Sequence, residues 1–207
     1  MRDPDLALSL IEATVKAVSV PVTLKMRLGW DHDTLNAPLI AARAEAAGVQ
    51  MITIHGRTRM QFYKGVADWD AIARVRDAVT VPLIANGDIL TRADIAECLR
   101  RSGADAVMIG RAAQGQPWIC GQLAGSDDIP ADRAARNAVA LEHYGDGVGV
   151  RHARKHISWY LETLAPQTPA AQKVRMMTSI RADEVLNIFS DVLEAAAVSP
   201  SMMESAA

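Results

Sequence analysis

The stretch Val81-Pro82-Leu83-Ile84-Ala85-Asn86-Gly87-Asp88 decides the fold, because a short run of branched apolar residues ends there on a polar cluster. Apolar runs of this kind occur over residues 20–24, 51–54, 81–85 and 106–109. Each run is too short for a buried helix and is typical of a strand buried on both faces. Helical patterns lie between the runs, so the alternation predicts an α/β fold with a parallel sheet.

Every predicted strand ends on polar residues. The clusters are Lys25-Met26-Arg27, His55-Gly56-Arg57, Asn86-Gly87-Asp88 and Gly110-Arg111. Ligands of parallel α/β proteins bind at the carboxyl ends of the strands. We therefore expect these clusters to meet in one ligand site.

The strand pattern predicts the C-terminal half of a (β/α)8 TIM barrel over residues 1–120. Asp3-Pro4 is a helix N-cap followed by a proline, so the chain is expected to open on a helix. A closed barrel usually needs about 250 residues, whereas the pattern here changes near Pro117. An open half-barrel would expose unpaired strand edges, so we expect an amino-terminal half-barrel upstream of Met1.

The composition is typical of a cytoplasmic protein. Hydrophobic residues make up 50% of the 207 residues, and the formal net charge is −2. No apolar run approaches the roughly 18 residues that a membrane span requires. The two cysteines, Cys98 and Cys120, form neither a disulfide framework nor a metal-ligand spacing. We predict a cytoplasmic protein with no metal and no membrane partner.

The second half of the chain has a different pattern, with amphipathic Ala-rich helices predicted over residues 132–144, 151–164 and 169–197. We interpret residues 132–198 as a small all-α helical domain. The preceding segment, 121–131, contains Gly, Ser, Asp and Pro and is typical of a linker. The tail over 199–207 carries no pattern and is expected to be disordered.

Two of the polar clusters are suited to a phosphate group. Gly87 and Gly110 allow the backbone to approach a ligand closely, and Arg111 adds a charge-assisted hydrogen-bond donor. The last two strands of a barrel are a common position for such a site. The sequence therefore predicts that a phosphate binds there.

Lys25 and Arg27 alternate along their predicted strand, so both side chains are expected to point into the barrel. A buried lysine needs an electron-rich partner, such as the pyrimidine edge of a flavin. An ion pair between Lys25 and Asp88 is the alternative. His55 also has two interpretations, either a ligand-binding residue or a histidine satisfied within the core.

One predicted helix concentrates positive charge in Arg151, Arg154 and Lys155, which form a strip suited to a phosphate backbone. A solvated helix face explains the same pattern. His152 and His156 have the i, i+4 spacing of metal ligands, but cations separate them and no carboxylate ligand is near.

Five segments together resemble the tRNA-dihydrouridine synthase family, most closely its bacterial B-type branch. They are Val22-Thr23-Leu24-Lys25-Met26-Arg27-Leu28-Gly29-Trp30, Ile54-His55-Gly56-Arg57-Thr58-Arg59, Ile84-Ala85-Asn86-Gly87-Asp88-Ile89, and the stretches over residues 108–118 and 151–161. The resemblance covers nearly the whole chain. It implies an FMN-dependent enzyme that reduces uridines of tRNA to 5,6-dihydrouridine with electrons from NADPH.

The resemblance also implies roles for individual residues. Lys25 would contact the flavin ring, with His55 near it. The ribityl phosphate end would be held by Asn86, Gly87, Asp88, Gly110 and Arg111. Arg27 would lie beside the substrate uridine, which must leave its stack to reach the flavin. Contacts to tRNA are expected from Arg57, Arg59, Arg151, Arg154 and Lys155, with Lys64 and a stacking Tyr63 as further candidates.

The cysteine that serves the family as general acid has no counterpart in this sequence. It belongs to an Asn-x-Gly-Cys-Pro-type loop, and neither Cys98 nor Cys120 lies in such a context. We expect that cysteine upstream of Met1 and expect no activity from this chain alone. Two alternatives remain open: an FMN-barrel oxidoreductase that acts on a small molecule, and a non-catalytic fragment that binds RNA.

Overall fold

The structure is a computed structural model that describes residues 1–126 and 135–198. It divides into two compact units, Met1–Ala112 and Ala113–Ala207. Most of the predicted linker, the start of the first helix predicted after it, and the tail over 199–207 lie outside the described residues.

The first unit is an α/β structure in which strands alternate with helices. Its elements are α1 (Pro4–Ala17), β1 (Thr23–Arg27), α2 (Ala37–Ala46), β2 (Met51–His55), α3 (Trp69–Arg76), β3 (Leu83–Asn86), α4 (Arg92–Ser102) and β4 (Ala106–Met108). The strands lie in the order β1-β2-β3-β4, and all neighbours pair in parallel. The prediction of an α/β fold with a parallel sheet is confirmed.

The core of this unit lies around the two central strands. Ile52 and Ile54 of β2 and Leu83 and Ala85 of β3 are completely buried. Burial of each isoleucine or leucine side chain among them stabilises the fold by about 1.5–3 kcal/mol. By contrast, neither β1, β4 nor α1 contains a fully buried residue. The central strands therefore provide the rigid support for the residues at their carboxyl ends.

Strands β1, β2 and β3 extend further toward the polar clusters than the apolar runs indicated. Arg27 pairs with His55 at the ends of β1 and β2, and β3 ends on Asn86. Ladder hydrogen bonds involve the backbone only, so a strand continues through polar residues wherever the pairing continues. The sheet itself therefore positions Lys25, Arg27, His55 and Asn86.

In the described part of the second unit, all regular structure is helical. A short 3₁₀ turn at Arg111–Ala113 precedes α5 (Ile119–Leu123), α6 (Ala135–Leu164), α7 (Ala170–Thr178) and α8 (Ala182–Val198). Helix α6 is interrupted at Gly145, whose φ of 71° and ψ of 163° are not helical. Within the residues that the structure describes, no helix is long and apolar enough to cross a membrane.

The amphipathic segment predicted over 169–197 forms two helices, α7 and α8, which are separated at residues 179–181. Arg154 Nη2 donates to the carbonyl oxygens of Thr178 and Ser179 at 3.3 and 2.9 Å, at the end of α7. The Ser179 hydroxyl then donates to Glu184 in the first turn of α8 at 2.7 Å. The Arg154 contacts satisfy carbonyl groups that a helix end leaves without partners. Amphipathic periodicity carries no information about such contacts.

Helix α4 begins with a capping box that offers a direct test of the fold. Thr91 Oγ1 accepts from the Asp94 amide at 3.1 Å, and the Asp94 carboxylate accepts from the Thr91 amide at 2.8 Å. We expect Thr91→Ala to lower the free energy of unfolding by about 1 kcal/mol, because the cap is lost. Thr91→Ser is the control and should be almost neutral. Urea denaturation measures both, and equal stability of Thr91→Ala and the parent chain would contradict the prediction.

Candidate functional site

A cavity of about 690 Å³ lies at the carboxyl ends of the four strands. It is lined by all the residues predicted to bind a cofactor, namely Lys25, His55, Asn86, Gly87, Asp88, Gly110 and Arg111, and also by Arg27. The sheet thus brings the four polar clusters together. Leu90, Met108 and Ala112 also line the cavity, although they were not among the predicted site residues. Their adjacency to the polar clusters in the chain is the signal that could have identified them.

Lys25 belongs to a chain of hydrogen bonds that links β1, β3 and β4. Its Nζ donates to Asn86 Oδ1 at 3.1 Å, and Asn86 Nδ2 donates to the Met108 carbonyl at 2.8 Å. Burial and the nearby charge of Arg27 lower the pKa of Lys25 below its usual value. The partner of Lys25 is therefore the side-chain amide of Asn86. The ion pair with Asp88, which the sequence left open as an alternative, does not form.

Asp88 is held by its neighbours in an uncommon backbone conformation. Its φ is 56°, a left-handed value that non-glycine residues seldom adopt. Its Oδ2 accepts from Arg57 Nη2 at 2.6 Å and from the Ala67 amide at 2.7 Å. Burial alone would raise the pKa of this carboxyl, but the Ala67 amide and the Arg57 guanidinium together hold it below its usual value. Asp88 is therefore a carboxylate in the folded protein.

The structure places the Arg57 side chain inside the protein, whereas the sequence predicted an exposed contact with tRNA. The side chain is only 2% exposed. Besides Asp88, it donates to the carbonyl oxygens of Lys64 and Gly65 at 3.2 and 2.6 Å. A buried guanidinium whose donors already have acceptors within the protein is not available to a ligand outside it. Arg57 instead supports the wall of the cavity.

His55 faces the cavity as a neutral imidazole. Its Nε2 lies 3.3 Å from Arg57 Nη1. Burial and the positive charges of Arg27, Lys25 and Arg57 lower the pKa of His55 to about 4, although Asp88 acts in the opposite direction. His55 thus lines the cavity, as a ligand-binding residue would. It also has a polar partner within the protein, as a satisfied core histidine would.

Gly87 allows the close packing beneath the cavity. Its φ is 121°, and a Cβ at this position would lie 2.8 Å from the Ala67 Cβ and 3.0 Å from the His55 ring. No side chain fits there without moving the histidine. Gly110 differs, because the nearest atom to a Cβ there would be Asn86 Nδ2 at 3.9 Å. Gly110 therefore leaves open space beside the backbone.

Tyr63 lies at the mouth of the cavity between two arginines. The guanidinium carbons of Arg27 and Arg111 are 5.6 and 4.9 Å from the centre of its ring, and the residue is 60% exposed. Arg27 Nη1 also donates to the carbonyl oxygens of Thr58 and Phe62, both at 2.7 Å. Such cation–π contacts orient an aromatic ring, and more than half of the Tyr63 surface remains accessible.

Arg59 does not line this cavity. Its guanidinium carbon lies 4.4 Å from the centre of the Phe62 ring and 6.0 Å from the centre of the Trp30 ring. The side chain is exposed to solvent. Of the two arginines predicted to contact tRNA from this loop, only Arg59 lies on the surface.

The predicted basic strip on α6 divides into two kinds of residue. Arg151 and Lys155 are exposed, and Lys155 Nζ lies 4.7 Å from the centre of the Trp159 ring. Arg154 is partly buried and donates to the carbonyls at the end of α7, a contact within its own unit. Arg151 and Lys155 are the members of the strip that remain on the surface.

Neither cysteine lines the cavity. Cys98 is completely buried in α4, where burial raises the pKa of its thiol to about 11. Cys120 is exposed in α5. In residues 1–126 and 135–198, no group of three or more His, Cys, Asp and Glu side chains is arranged to hold a metal ion.

The fold and the cavity define an α/β protein with a cationic ligand site at the carboxyl ends of a parallel sheet. The chain belongs to the dihydrouridine synthase family, because the family model described as "Dihydrouridine synthase (Dus)" matches residues 1–197. A protein of Rhizobium leguminosarum bv. phaseoli, named probable tRNA-dihydrouridine synthase, is 58% identical over 203 residues. That match covers 96% of this chain and 64% of the relative.

Other relatives carry similar names. A probable tRNA-dihydrouridine synthase of Rhodobacter capsulatus is 57% identical over 177 residues, which cover 80% of this chain and 55% of the relative. tRNA-dihydrouridine synthase B of Pseudomonas aeruginosa is 42% identical over 187 residues, covering 84% of this chain and 55% of the relative. The chain thus spans between 55% and 64% of the length of these three relatives.

The solved structures similar to this chain are more distant. A phosphonopyruvate hydrolase in complex with oxalate and Mg²⁺ aligns with a TM-score of 0.45 and 17% identity. The alignment covers 91% of this chain and 78% of the hydrolase chain. The YdjI aldolase from Escherichia coli K12 aligns with a TM-score of 0.39 and 15% identity, covering 96% of this chain and 57% of its own. Similarity at this level supports no inference about the site.

The pair of Arg57 and Asp88 predicts a specific loss of stability. We expect Asp88→Ala to lower the free energy of unfolding by about 2–3 kcal/mol, because it leaves the buried Arg57 guanidinium without its charged acceptor, although two carbonyl acceptors remain. Arg111→Ala is the matched control, since Arg111 is a more exposed partner of the same carboxylate at 3.5 Å. It should cost less than about 1 kcal/mol. Urea denaturation decides, and equal losses in the two variants would contradict the prediction.

Proposed function

We propose that the cavity at the strand ends binds FMN, and that the protein carrying this chain reduces uridines of tRNA to 5,6-dihydrouridine with NADPH as electron donor. The observation that carries this proposal is the meeting of Lys25, Asn86 and Arg111 in one cavity of a chain that belongs to the dihydrouridine synthase family. Because its substrate is tRNA, we propose that the protein acts in the cytoplasm.

The size and the donor groups of the cavity fit a flavin mononucleotide. Its volume of about 690 Å³ lies within the range of roughly 300–1,000 Å³ found for small-molecule sites. The Lys25 ammonium has three N–H groups, one of which is donated to Asn86. The others suit a carbonyl oxygen or an anionic ring nitrogen. Lys25 would therefore stabilise negative charge on the pyrimidine edge of the flavin.

The phosphate end of FMN would lie near Gly110 and Arg111. Arg111 is 54% exposed in its side chain, and its contact with Asp88 at 3.5 Å is too long to occupy the guanidinium fully. The open space beside Gly110 would let phosphate oxygens approach the backbone. A guanidinium is suited to two parallel hydrogen bonds with a phosphate. The predicted phosphate site thus has both room and a donor.

Reduced FMN would supply the hydride that adds to C6 of the uracil. Arg27 and Tyr63 at the mouth of the cavity would orient the base after it leaves its stack, with Tyr63 as the stacking surface. In the family mechanism a cysteine donates the proton to C5. We assign that role to no residue of this chain, because neither Cys98 nor Cys120 lines the cavity.

We also propose that the sheet is half of a (β/α)8 barrel, with residues 1–120 as the FMN-binding part and 132–198 as a tRNA-binding helical domain. The strand order follows the chain order, and every pair is parallel. A doubly wound sheet would instead reverse its order at a switch point. In the described residues, β1 and β4 each pair on one side only, as they would where the rest of a barrel joins.

A chimera tests the flavin proposal. The part of the Rhizobium leguminosarum relative that this chain does not match would be joined to the chain in the relative's order. We expect the purified chimera to carry stoichiometric FMN and to form dihydrouridine in unmodified tRNA with NADPH. Lys25→Met should lower kcat/KM by about 10²-fold or more, because a preorganised charge is lost. Lys16→Met, at an exposed position of α1, is the matched control.

Other outcomes of the chimera experiment would contradict the proposal. A folded but colourless chimera that binds tRNA would favour the non-catalytic RNA-binding alternative. A yellow chimera that oxidises NADPH with a small molecule but leaves tRNA unchanged would favour the small-molecule oxidoreductase. Mass spectrometry of tRNA nucleosides and the flavin spectrum distinguish these results.

The basic strip predicts a salt-dependent contact with tRNA. In the chimera, the double variant Arg151→Ala/Lys155→Ala should weaken tRNA binding and reduce the slope of log Kd against log salt by about 1.5, because two phosphate contacts are lost. The control is Arg100→Ala/Arg101→Ala, which changes the net charge equally but removes side chains paired with Glu97 and Asp70. Filter binding over a salt series measures the slopes, and equal slopes in the two double variants would contradict the assignment.

A further inference from the structure

The buried contact between Arg57 and His55 constrains where the histidine carries its proton. Arg57 Nη1 lies 3.3 Å from His55 Nε2, and the guanidinium is 2% exposed. A guanidinium has five N–H donors and no acceptor. In this hydrogen bond the arginine must therefore be the donor and Nε2 the acceptor. An Nε2 that accepts a hydrogen bond carries no proton.

We infer that Arg57 is a positioning residue that holds His55 as the neutral imidazole with its proton on Nδ1. The Nδ1–H is then the only hydrogen-bonding group of the ring left for a ligand in the cavity. His55 would act there as a donor to an acceptor atom, such as a carbonyl oxygen or an unprotonated ring nitrogen, and not as a general base. This assignment of the ligand rests on the proposed flavin site.

The guanidinium is held firmly enough to impose this arrangement. Its Nη2 donates to the Gly65 carbonyl and to Asp88 Oδ2, both at 2.6 Å, and its Nε donates to the Lys64 carbonyl at 3.2 Å. Asp88 is itself fixed by the Ala67 amide at 2.7 Å. Three anchors leave Nη1 directed at the imidazole. Arg57 thus has a defined orientation before any ligand arrives.

The charges around His55 favour the same neutral state. Lys25 and Arg27 face it from β1, Arg57 from the end of β2, and the carboxylate of Asp88 from the end of β3. The ring of Tyr63 lies 6.4 Å from the imidazole ring. Burial and the three cations lower the pKa of His55 to about 4, against the single carboxylate. A second positive charge on the imidazole would repel Arg57 directly.

Nuclear magnetic resonance of the 207-residue chain tests the inference without flavin or tRNA. With ¹⁵N-labelled histidine, long-range ¹H–¹⁵N correlation spectra distinguish the Nδ1–H tautomer from the Nε2–H tautomer, and His55→Gln assigns the His55 signals. We expect the Nδ1–H pattern at pH 7, with protonation only near pH 4. A wild-type spectrum with the Nε2–H pattern, or a titration near the ordinary value of about 6.5, would overturn the inference.

Two variants separate the effect of Arg57 from that of charge alone. Arg57→Lys keeps the positive charge but loses the planar fork, so we expect His55 to shift to a mixture that contains the Nε2–H tautomer. Arg59→Lys is the matched control on the same loop and should leave the spectrum unchanged. An unchanged tautomer in folded Arg57→Lys would overturn the positioning role. If that variant does not fold, the wild-type spectrum still tests the inference, because an Nε2–H pattern would exclude Arg57 as the donor to Nε2.

The flavin chimera tests the donor role of Nδ1–H. Binding of FMN should move the His55 Nδ1 resonance and keep its proton in place, whereas loss of that proton on binding would overturn the donor assignment. A colourless chimera would contradict the proposed function alone, because the tautomer is measured in the chain without FMN. The two proposals can therefore fail separately.

Discussion

The ion pair between the buried Arg57 guanidinium and the partly exposed Asp88 carboxylate is the interaction on which the rest of the cavity depends. It joins the segment after β2 to the segment after β3, at 2.6 Å between Nη2 and Oδ2. A buried charge without a partner is strongly destabilising, so the Arg57 guanidinium requires Asp88. The pair also maintains Asp88 at its left-handed φ of 56°, a conformation that costs on the order of 1–3 kcal/mol. The segment after β2 and the segment after β3 are thereby held in one arrangement.

Around this pair the cavity carries more positive than negative charge. Lys25, Arg27 and Arg111 line it with a single carboxylate, that of Asp88, which Arg57 already occupies. Burial, and after it the uncompensated cations, lower the pKa values of Lys25 and His55. An anionic ligand would relieve this repulsion, and a concave site lined by one sign of charge attracts such ligands. The same arrangement therefore explains both the neutral histidine and the expected affinity for a phosphate-bearing cofactor.

Two arginines show where inference from the sequence was insufficient. Arg57 and Arg154 were both assigned to tRNA because of the family resemblance and the positive charge of the loop and the helix that carry them. Arg57 instead donates to Asp88 and to two backbone carbonyls, and Arg154 to the carbonyls that end α7. These acceptors are distant in sequence or belong to the backbone, so no local pattern marks them. By contrast, Lys25, Asn86 and Arg111 could be brought together from the sequence alone, because parallel strands end at one edge.

The sequence by itself determined the alternation of strands and helices, the parallel sheet and the meeting of the polar clusters. Hydrophobic periodicity, helix caps and turn residues act between near neighbours, so they are legible along the chain. Only the tertiary structure decided which polar groups face the cavity and which support it. That choice depends on the strand register that pairs Arg27 with His55 and His55 with Asn86. The register brings together donors and acceptors from separate strands, whose hydrogen bonds determine the charge, the tautomer and the exposure of each side chain.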